Sequence, residues 1–593
     1  MRLLSSLFLT SCLSLGATTF HVSKNSGIQG DGRSWKSPAS TLQKVLTGVE
    51  PGDTILIAEG VYFPIESSRP SAGLFDESFV LRGNITIQGG YSTNGEVRDP
   101  ILYKTVLSGD ILQALSDGNG DGLPEGVTYS SSNHIVRILE PEGPTVLEGL
   151  WFANSRNKDT SQSGGCAILA EEGGDLTLID CHFRYLEVET GGSQGHALHY
   201  KRATPSTAGE LVFSGCTFVS LGDSSRPYSS GGALYIENDA FRMTDCDFFE
   251  NEGNFGGSIY FVGNDSEEDV IPPKSTILRC EFKGNFAQFS GGAIFARERL
   301  ELDVVNSLLS GNHSGQYGFV DGNGGALSLS TRGSLRFINN TIVYNTAGGS
   351  IETRAAFGGA IFLSRASYPG FSGLARFENN IFHQNLASSG IGEFPQTVHS
   401  TGQRTLRFRS NYSNVEDLPT DDPDLPNHTP FQGSTITAPD FFTPLNLVPT
   451  SITTATGQVR IRYHPLSGGY FAFPIDSPLV DLSSNYSLFS TWSDLDLAGQ
   501  NRSQGNSSDP GAYEAQPPPG TLEIVDITRH PSALRLYFVS DRPVDVQISS
   551  DLEDWTPSLF SGQLNITQSP ITVQAPLLGR PKRFYRLVHS QNP

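Results

Sequence analysis

Seven segments in the middle of the chain share one alternation of apolar and polar positions: DLTLIDCHF, LVFSGCTF, FRMTDCDFFEN, TILRCEFKGN, LDVVNSLLSGN, LRFINNTIVYN and ARFENNIFHQN. Cys181, Cys216, Cys246 and Cys280 hold the first marked position, Ser307, Asn340 and Asn380 hold it next, and an apolar residue follows two places later each time. The closest marks, Cys280 and Ser307, are 27 residues apart and the most distant, Asn340 and Asn380, are 40 apart. A recurrence of this length signals a repeat architecture. A second pattern runs in phase with the first: GGCAI from Gly164, GHALHY from Gly195, GGALYI from Gly231, GGSIYF from Gly256, GGAIF from Gly291, GGALSL from Gly324 and GGAIFL from Gly358. Each unit therefore predicts two short strands and a glycine turn. Such a unit has β-branched and aromatic residues at alternate positions and no long helical period, so it buries its apolar face only by stacking on its neighbours. The expected fold is all-β, a right-handed parallel β-helix.

In a parallel solenoid, equivalent positions of successive coils lie roughly 4.8 Å apart and like side chains stack. A buried Cys packs there as a small hydrophobe, whereas stacked Asn amides hydrogen-bond from coil to coil. No CxxC pair or nearby His cluster supplies a zinc spacing, and a disulfide between rungs needs a sulfur orientation that an in-register stack does not guarantee. The expectation is free, buried thiols.

Outside the repeats the pattern changes. Leu42, Val45, Leu46 and Val49 have helical spacing before the strand TILIA, which predicts a short helix capping the first coil. An uncovered solenoid end would present unpaired backbone groups to other chains. After Asn385 the repeat fades into irregular sequence such as DLPTDDPDLPNHTP, expected as loops on the final coils. Residues 18–515 are read as the solenoid with its cap, 516–520 (QPPPG) as a stiff linker, and 521–593, with LRLYFVS and VDVQISS, as a small antiparallel β-sandwich.

The first residues, MRLLSSLFLTSCLSLGA, combine Arg2, an apolar run and small residues, so 1–17 reads as a secretory signal peptide. Leu9-Thr10-Ser11-Cys12 resembles a lipoprotein cleavage box, which makes Cys12 a candidate lipid anchor. No later stretch is long and apolar enough for a transmembrane helix. Of the 593 residues, 62 are Asp or Glu and 40 are Lys or Arg, a net charge of −22. That average field repels nucleic acid.

The opening GDGRSWKSPASTLQKVLTGVEPGDTILIAEGVYFP, with ITIQGGY, RDP and TVLSGD after it, and the closing SPLVDLSSN with DLDLAGQNRSQGNSSDPGAYE, resemble secreted bacterial β-helix proteins of the choice-of-anchor Q group. The GGA[IL] and FxxN motifs, the latter at Phe248 to Asn251, Phe282 to Asn285 and Phe382 to Asn385, are similar to repeats of chlamydial polymorphic outer-membrane proteins. Those proteins end in a transporter barrel, for which the last segment here is too short. The resemblance implies a fold and a location at the bacterial surface or outside the cell more than an activity.

Two functions fit such a chain. One is binding or adhesion to glycans or to a surface protein, with Tyr235, Tyr260 and Phe295 as face or core residues and core as the preferred reading. The other is a polysaccharide lyase or glycoside hydrolase, which requires a base with a charge neutraliser, or two separated carboxylates. The basic group His196, His199, Tyr200, Lys201 and Arg202 supplies Lys201 as a catalytic candidate. Asp245 and Asp247 flank Cys246, with Arg279 and Glu281 at the matching positions one coil later. Cross-coil ion pairing explains that row equally well. DGNGDG places Asp117, Asn119 and Asp121 at alternate positions before a glycine, as in the first half of an EF-hand calcium loop, although Thr128 stands where the twelfth-position Glu would be.

Overall fold

The computed structural model describes residues 17–413 outside segments 25–29, 66–76, 119–121, 129–130, 140–142, 159–163, 172–173, 189–193, 203–210, 223–229, 264–273, 316–321, 332, 349–355, 365–373, 390–391, 396–397, 401–404 and 410–411. Beyond 413 it describes 447–453, 459–465, 496–497, 502, 509, 511–513, 523–530, 533–539, 544–549, 556–557, 571–574 and 584–589. Residues 1–16, with Cys12, and the linker at 516–520 lie outside the described residues, as does most of the irregular stretch after Asn385.

The chain winds as a parallel β-helix. One coil runs from Leu176–Ile179 in a first sheet, through a corner to His182–Val188 in a second, across a glycine turn to Leu198–Lys201 in a third, and back to the first at Leu211–Ser214. Repeating this path builds parallel sheets of 12, 11 and 10 strands, with a six-stranded sheet inserted between the second and third. That smaller sheet ends in an antiparallel pair, Leu386–Ser389 with Gly392–Pro395. One apolar core extends from Phe20 to Leu406. Its axis carries Phe152, Phe183, Phe218, Phe248 and Phe282, stacked with ring centroids 4.6 to 4.9 Å apart.

Two corners explain the marked positions. Asp180, Asp245, Arg279, Asn306, Asn339 and Asn379 adopt positive φ between the first and second sheets, each just before a ladder residue. Cys181, Cys216, Cys246 and Cys280 then point inward, fully buried and unpaired, as expected of the thiols. Further along, the ladder turns polar: Ser307 N donates to Asn340 Oδ1 and Asn340 N to Asn380 Oδ1, each at 3.0 Å. The second corner is followed by its own column, Asn251, Asn285, Asn312, Asn345 and Asn385, of which Asn251, Asn285 and Asn385 end the FxxN motifs. Buried backbone groups that the corner withdraws from the sheets find their partners there.

From Gly231 onward the turns use two glycines, whereas Cys166 and His196 hold the second position in the earlier coils. Gly291 has φ +69°, while a Cβ on Gly292 would stand 1.9 Å from the carbonyl oxygen of Gly325 in the next coil. Coils approach backbone to backbone at this edge, which leaves no room for a side chain.

The expected cap helix is present at Leu42–Leu46, its Thr41 hydroxyl accepting from Lys44 N, with Leu42 and Val45 buried against the first coil. At the other end, part of the closing motif returns along the outside of the second sheet. Gly511 N donates to Asn379 O, Ala512 N to Thr341 Oγ1, and the Tyr513 hydroxyl reaches Glu281 at 3.4 Å. The buried Arg502 guanidinium holds this return by donating to the carbonyls of Asp509 and Gly511. Strands 447–453 and 459–465 form a hairpin, and the described residues of 523–589 include two three-stranded antiparallel sheets.

Candidate functional site

Alternation in the first sheet decides which side chains face outward. In Glu301–Val305, Leu302 and Val304 enter the core; Leu335 and Phe337, Ala375 and Phe377, and then Leu406 do so in the following strands. The intervening residues stand outside, and the register places Asp303 beside Arg336, Arg336 beside Arg376, and Arg376 beside Arg407. The column continues the other way through Thr276 to Arg242. Against it lies a cleft of about 250 Å3 lined by Lys274, Glu301, Asp303, Arg336 and Arg376, drawn from four successive first-sheet strands.

The charges in this cleft are unequally matched. Asp303 is buried, receives Arg336 Nε at 2.6 Å on one oxygen and Arg336 Nη2 on the other, and has Lys274 Nζ at 3.4 Å. Donation to the Asp303 carboxylate leads in raising the Arg336 pKa above its ordinary value, with Glu301 and Glu378 adding to it. Among the described residues neither Arg376 nor Arg407 has an ion-pair partner. Lys274, Arg336, Arg376 and Arg407 thus face Glu301, Asp303 and Glu378, a local positive excess on a chain of net charge −22.

The residues singled out from sequence fall elsewhere, and not together. Arg279 and Asp245 are corner residues joined by a bidentate ion pair, Nε to Oδ1 at 2.7 Å and Nη2 to Oδ2 at 2.8 Å. Asp247 lies on the second sheet in register with Glu281. Lys201 is on the third sheet, paired with Glu237 at 2.9 Å. Its neighbours belong to the scaffold. The Tyr200 hydroxyl donates to Asp239 and to the carbonyl of Gly174, and Arg202 binds Asp239 and Asp175. His196 contacts the carbonyl of Gly232 through Nδ1, and His199 Nδ1 accepts from Gly164 N. Burial pushes the His199 pKa down to about 4, so the ring is neutral near pH 7. In the acidic turn, Asp117 Oδ2 accepts from Gly122 N, and Asn119 and Asp121 lie outside the described residues.

Tyr235, Tyr260 and Phe295 differ from the core expectation. They form a row on the outer side of the third sheet, with rings 5.4 and 5.2 Å apart, and belong to a cluster separate from the interior. The GGA turn shifts the inward positions to the residues on either side of them, Leu234 and Ile236 for example. Tyr235 and Tyr260 are nevertheless only 3% and 8% exposed, so this row is covered rather than open.

The first-sheet cleft was legible only by counting. Asp303, Arg336 and Arg376 each stand four residues before a ladder mark, at Ser307, Asn340 and Asn380, and that column read alone becomes abruptly charged.

No protein-family model and no curated protein matches the chain. Among solved structures it is similar to pectate lyase Pel9A, with 12% identity and a TM-score of 0.37 over 84% of this chain and 98% of that one. It is also similar to a GH136 lacto-N-biosidase from Eubacterium ramulus, with 12% identity and a TM-score of 0.34 over 70% of this chain and 67% of that one. A third is a complex of XylC with xylose, with 12% identity and a TM-score of 0.38 over 84% and 99%. Likeness at this level carries no argument about what the chain binds.

Proposed function

We propose that this is a secreted or cell-surface binding protein that holds an extended polysaccharide along the outside of its first sheet, in the cleft between Lys274 and Arg376. The observation that carries the reading is the cleft itself, where charged side chains from four consecutive coils meet and Asp303, Arg336 and Arg376 form one row. A parallel sheet fixes such a row at roughly 4.8 Å per coil, comparable to the length of one sugar residue in an extended chain. Rigid spacing means the binding groups lose little freedom when a chain docks. Asp303 has both oxygens engaged by Arg336 and Lys274, which makes it a positioning group for Arg336 rather than a proton acceptor.

The test is affinity electrophoresis of the protein through gels containing acidic and neutral polysaccharides, together with assays for new reducing ends and for the absorbance of unsaturated products. Retardation without product, weakened by Asp303→Ala, is expected. Product formation abolished by Asp303→Ala would replace the binding reading with the enzyme reading, and no retardation by any glycan would defeat both.

A further inference from the structure

We propose that the polysaccharide is acidic, and that uronate carboxylates of the chain seat on Arg376 and Arg407; this rests on the binding reading above. Many basic side chains of the solenoid are matched by carboxylates. Arg98 meets Glu148, Lys201 meets Glu237, Arg202 meets Asp175 and Asp239, Arg279 meets Asp245, and Arg336 meets Asp303. A chain with 62 acidic residues against 40 basic ones has carboxylates to spare. Arg376 and Arg407 are adjacent in register and alike in charge, and neither has a carboxylate partner among the described residues. Placing two guanidinium groups on neighbouring strands is unfavourable unless something neutralises them.

Geometry says what that something is. Arg376 lines the cleft, Arg407 is exposed, and both project from the outer side of the same sheet. Glu378, on the same face, lies two residues along from Arg376, and its charge acts on Arg336. A guanidinium presents a planar fork that matches a carboxylate through two parallel hydrogen bonds. A ligand carrying one carboxylate per residue, at a spacing near that of the coils, meets both arginines at once. A uronate chain laid parallel to the solenoid axis has that form. The acidic remainder of the surface then confines such a chain to this strip by repelling it elsewhere.

The experiment is calorimetric titration of the full chain with a hexauronate, with the same oligomer methyl-esterified, and with a sulfated oligosaccharide. The ester preserves shape and removes charge. The hexauronate is expected to bind about tenfold or more tightly than the ester, as loss of charge-assisted hydrogen bonds implies, and to weaken as salt rises. Arg376→Gln combined with Arg407→Gln should abolish that preference, so that the hexauronate and the ester bind alike. Equal binding of acid and ester, or a preference that survives in the double variant, overturns the acidic assignment and leaves the binding reading intact. Tighter binding of the sulfated oligomer overturns the choice of carboxylate. Should the double variant fail to fold, the acid and ester comparison on the unaltered protein decides alone.

Discussion

Asn312 offers the sharpest test of how the coils are held together. Its side chain is fully buried and sits in the middle of the second polar ladder. Oδ1 accepts from Asn285 N at 3.1 Å and from Asn285 Nδ2 at 2.9 Å, while Nδ2 donates to Phe282 O and to Asn345 Oδ1, both at 2.9 Å. Asn312→Ala removes all four bonds. It strands the backbone N–H of Asn285 and weakens the satisfaction of Phe282 O, both far from solvent. Each buried group left without a partner costs about 1–3 kcal/mol, so the substitution is expected to cost roughly 2–6 kcal/mol. The exposed pair of Asp245 with Arg279 provides the contrast. Asp245→Ala should cost about 1 kcal/mol or less, because water screens such pairs. Asn312→Asp adds a second check, since a carboxylate still accepts from Asn285 but brings an acceptor against Asn345 Oδ1. Urea unfolding followed by circular dichroism reads all three as shifts of the midpoint. A midpoint for Asn312→Ala within error of that for Asp245→Ala would refute the argument that the ladder satisfies the corners.

Three further outcomes follow from the same structure. Gly292→Ala should lower the melting temperature markedly or prevent folding, because its Cβ would lie 1.9 Å from Gly325 O; an unchanged melt would show that the coils have slack at that edge. Because the folded His199 pKa of about 4 lies below the ordinary 6.5, the unfolded chain takes up the proton first as pH falls. Its contribution is whole above pH 6.5 and is lost between 6.5 and about 4, by up to about 3 kcal/mol. His199→Gln, which retains an acceptor for Gly164 N, should therefore narrow the gap between urea midpoints at pH 7 and pH 4.5, and an unchanged gap would count against a buried neutral ring. Finally, burial pushes the thiols of Cys166, Cys216, Cys246 and Cys280 upward, Cys166 to about 12, so iodoacetamide at pH 8 should label none of them until the chain is unfolded. Mass spectrometry of the labelled protein distinguishes this from rapid native labelling.

The solenoid was legible because its signals are local and repeated. Cys246 and Asn340 mark equivalent corners, and the paired glycines at Gly291 and Gly292 are demanded by backbone contact, so each repeat declares its own geometry. The cap helix was legible for the same reason, since Leu42, Val45, Leu46 and Val49 have one period and one buried face. The cleft was not. Arg336 and Arg376 are ordinary polar residues in their own strands, and only the register that sets Asp303, Arg336, Arg376 and Arg407 side by side reveals an unbalanced column. Lys201 drew notice for the opposite reason: its basic neighbours cluster in sequence, while in space Arg202 turns to Asp175 and Asp239 and Lys201 to Glu237. Closeness along a strand alternates between faces, whereas closeness across coils accumulates on one.

The central claim is that a glycan lies on the first sheet. It is tested most directly by modifying arginines with phenylglyoxal in the presence and absence of saturating hexauronate, and mapping the products by mass spectrometry. The account predicts that the sugar slows modification of Arg376 and Arg407 while exposed arginines on other faces react as before. Protection confined to another face of the solenoid, or binding with no protection of these two residues, would contradict it.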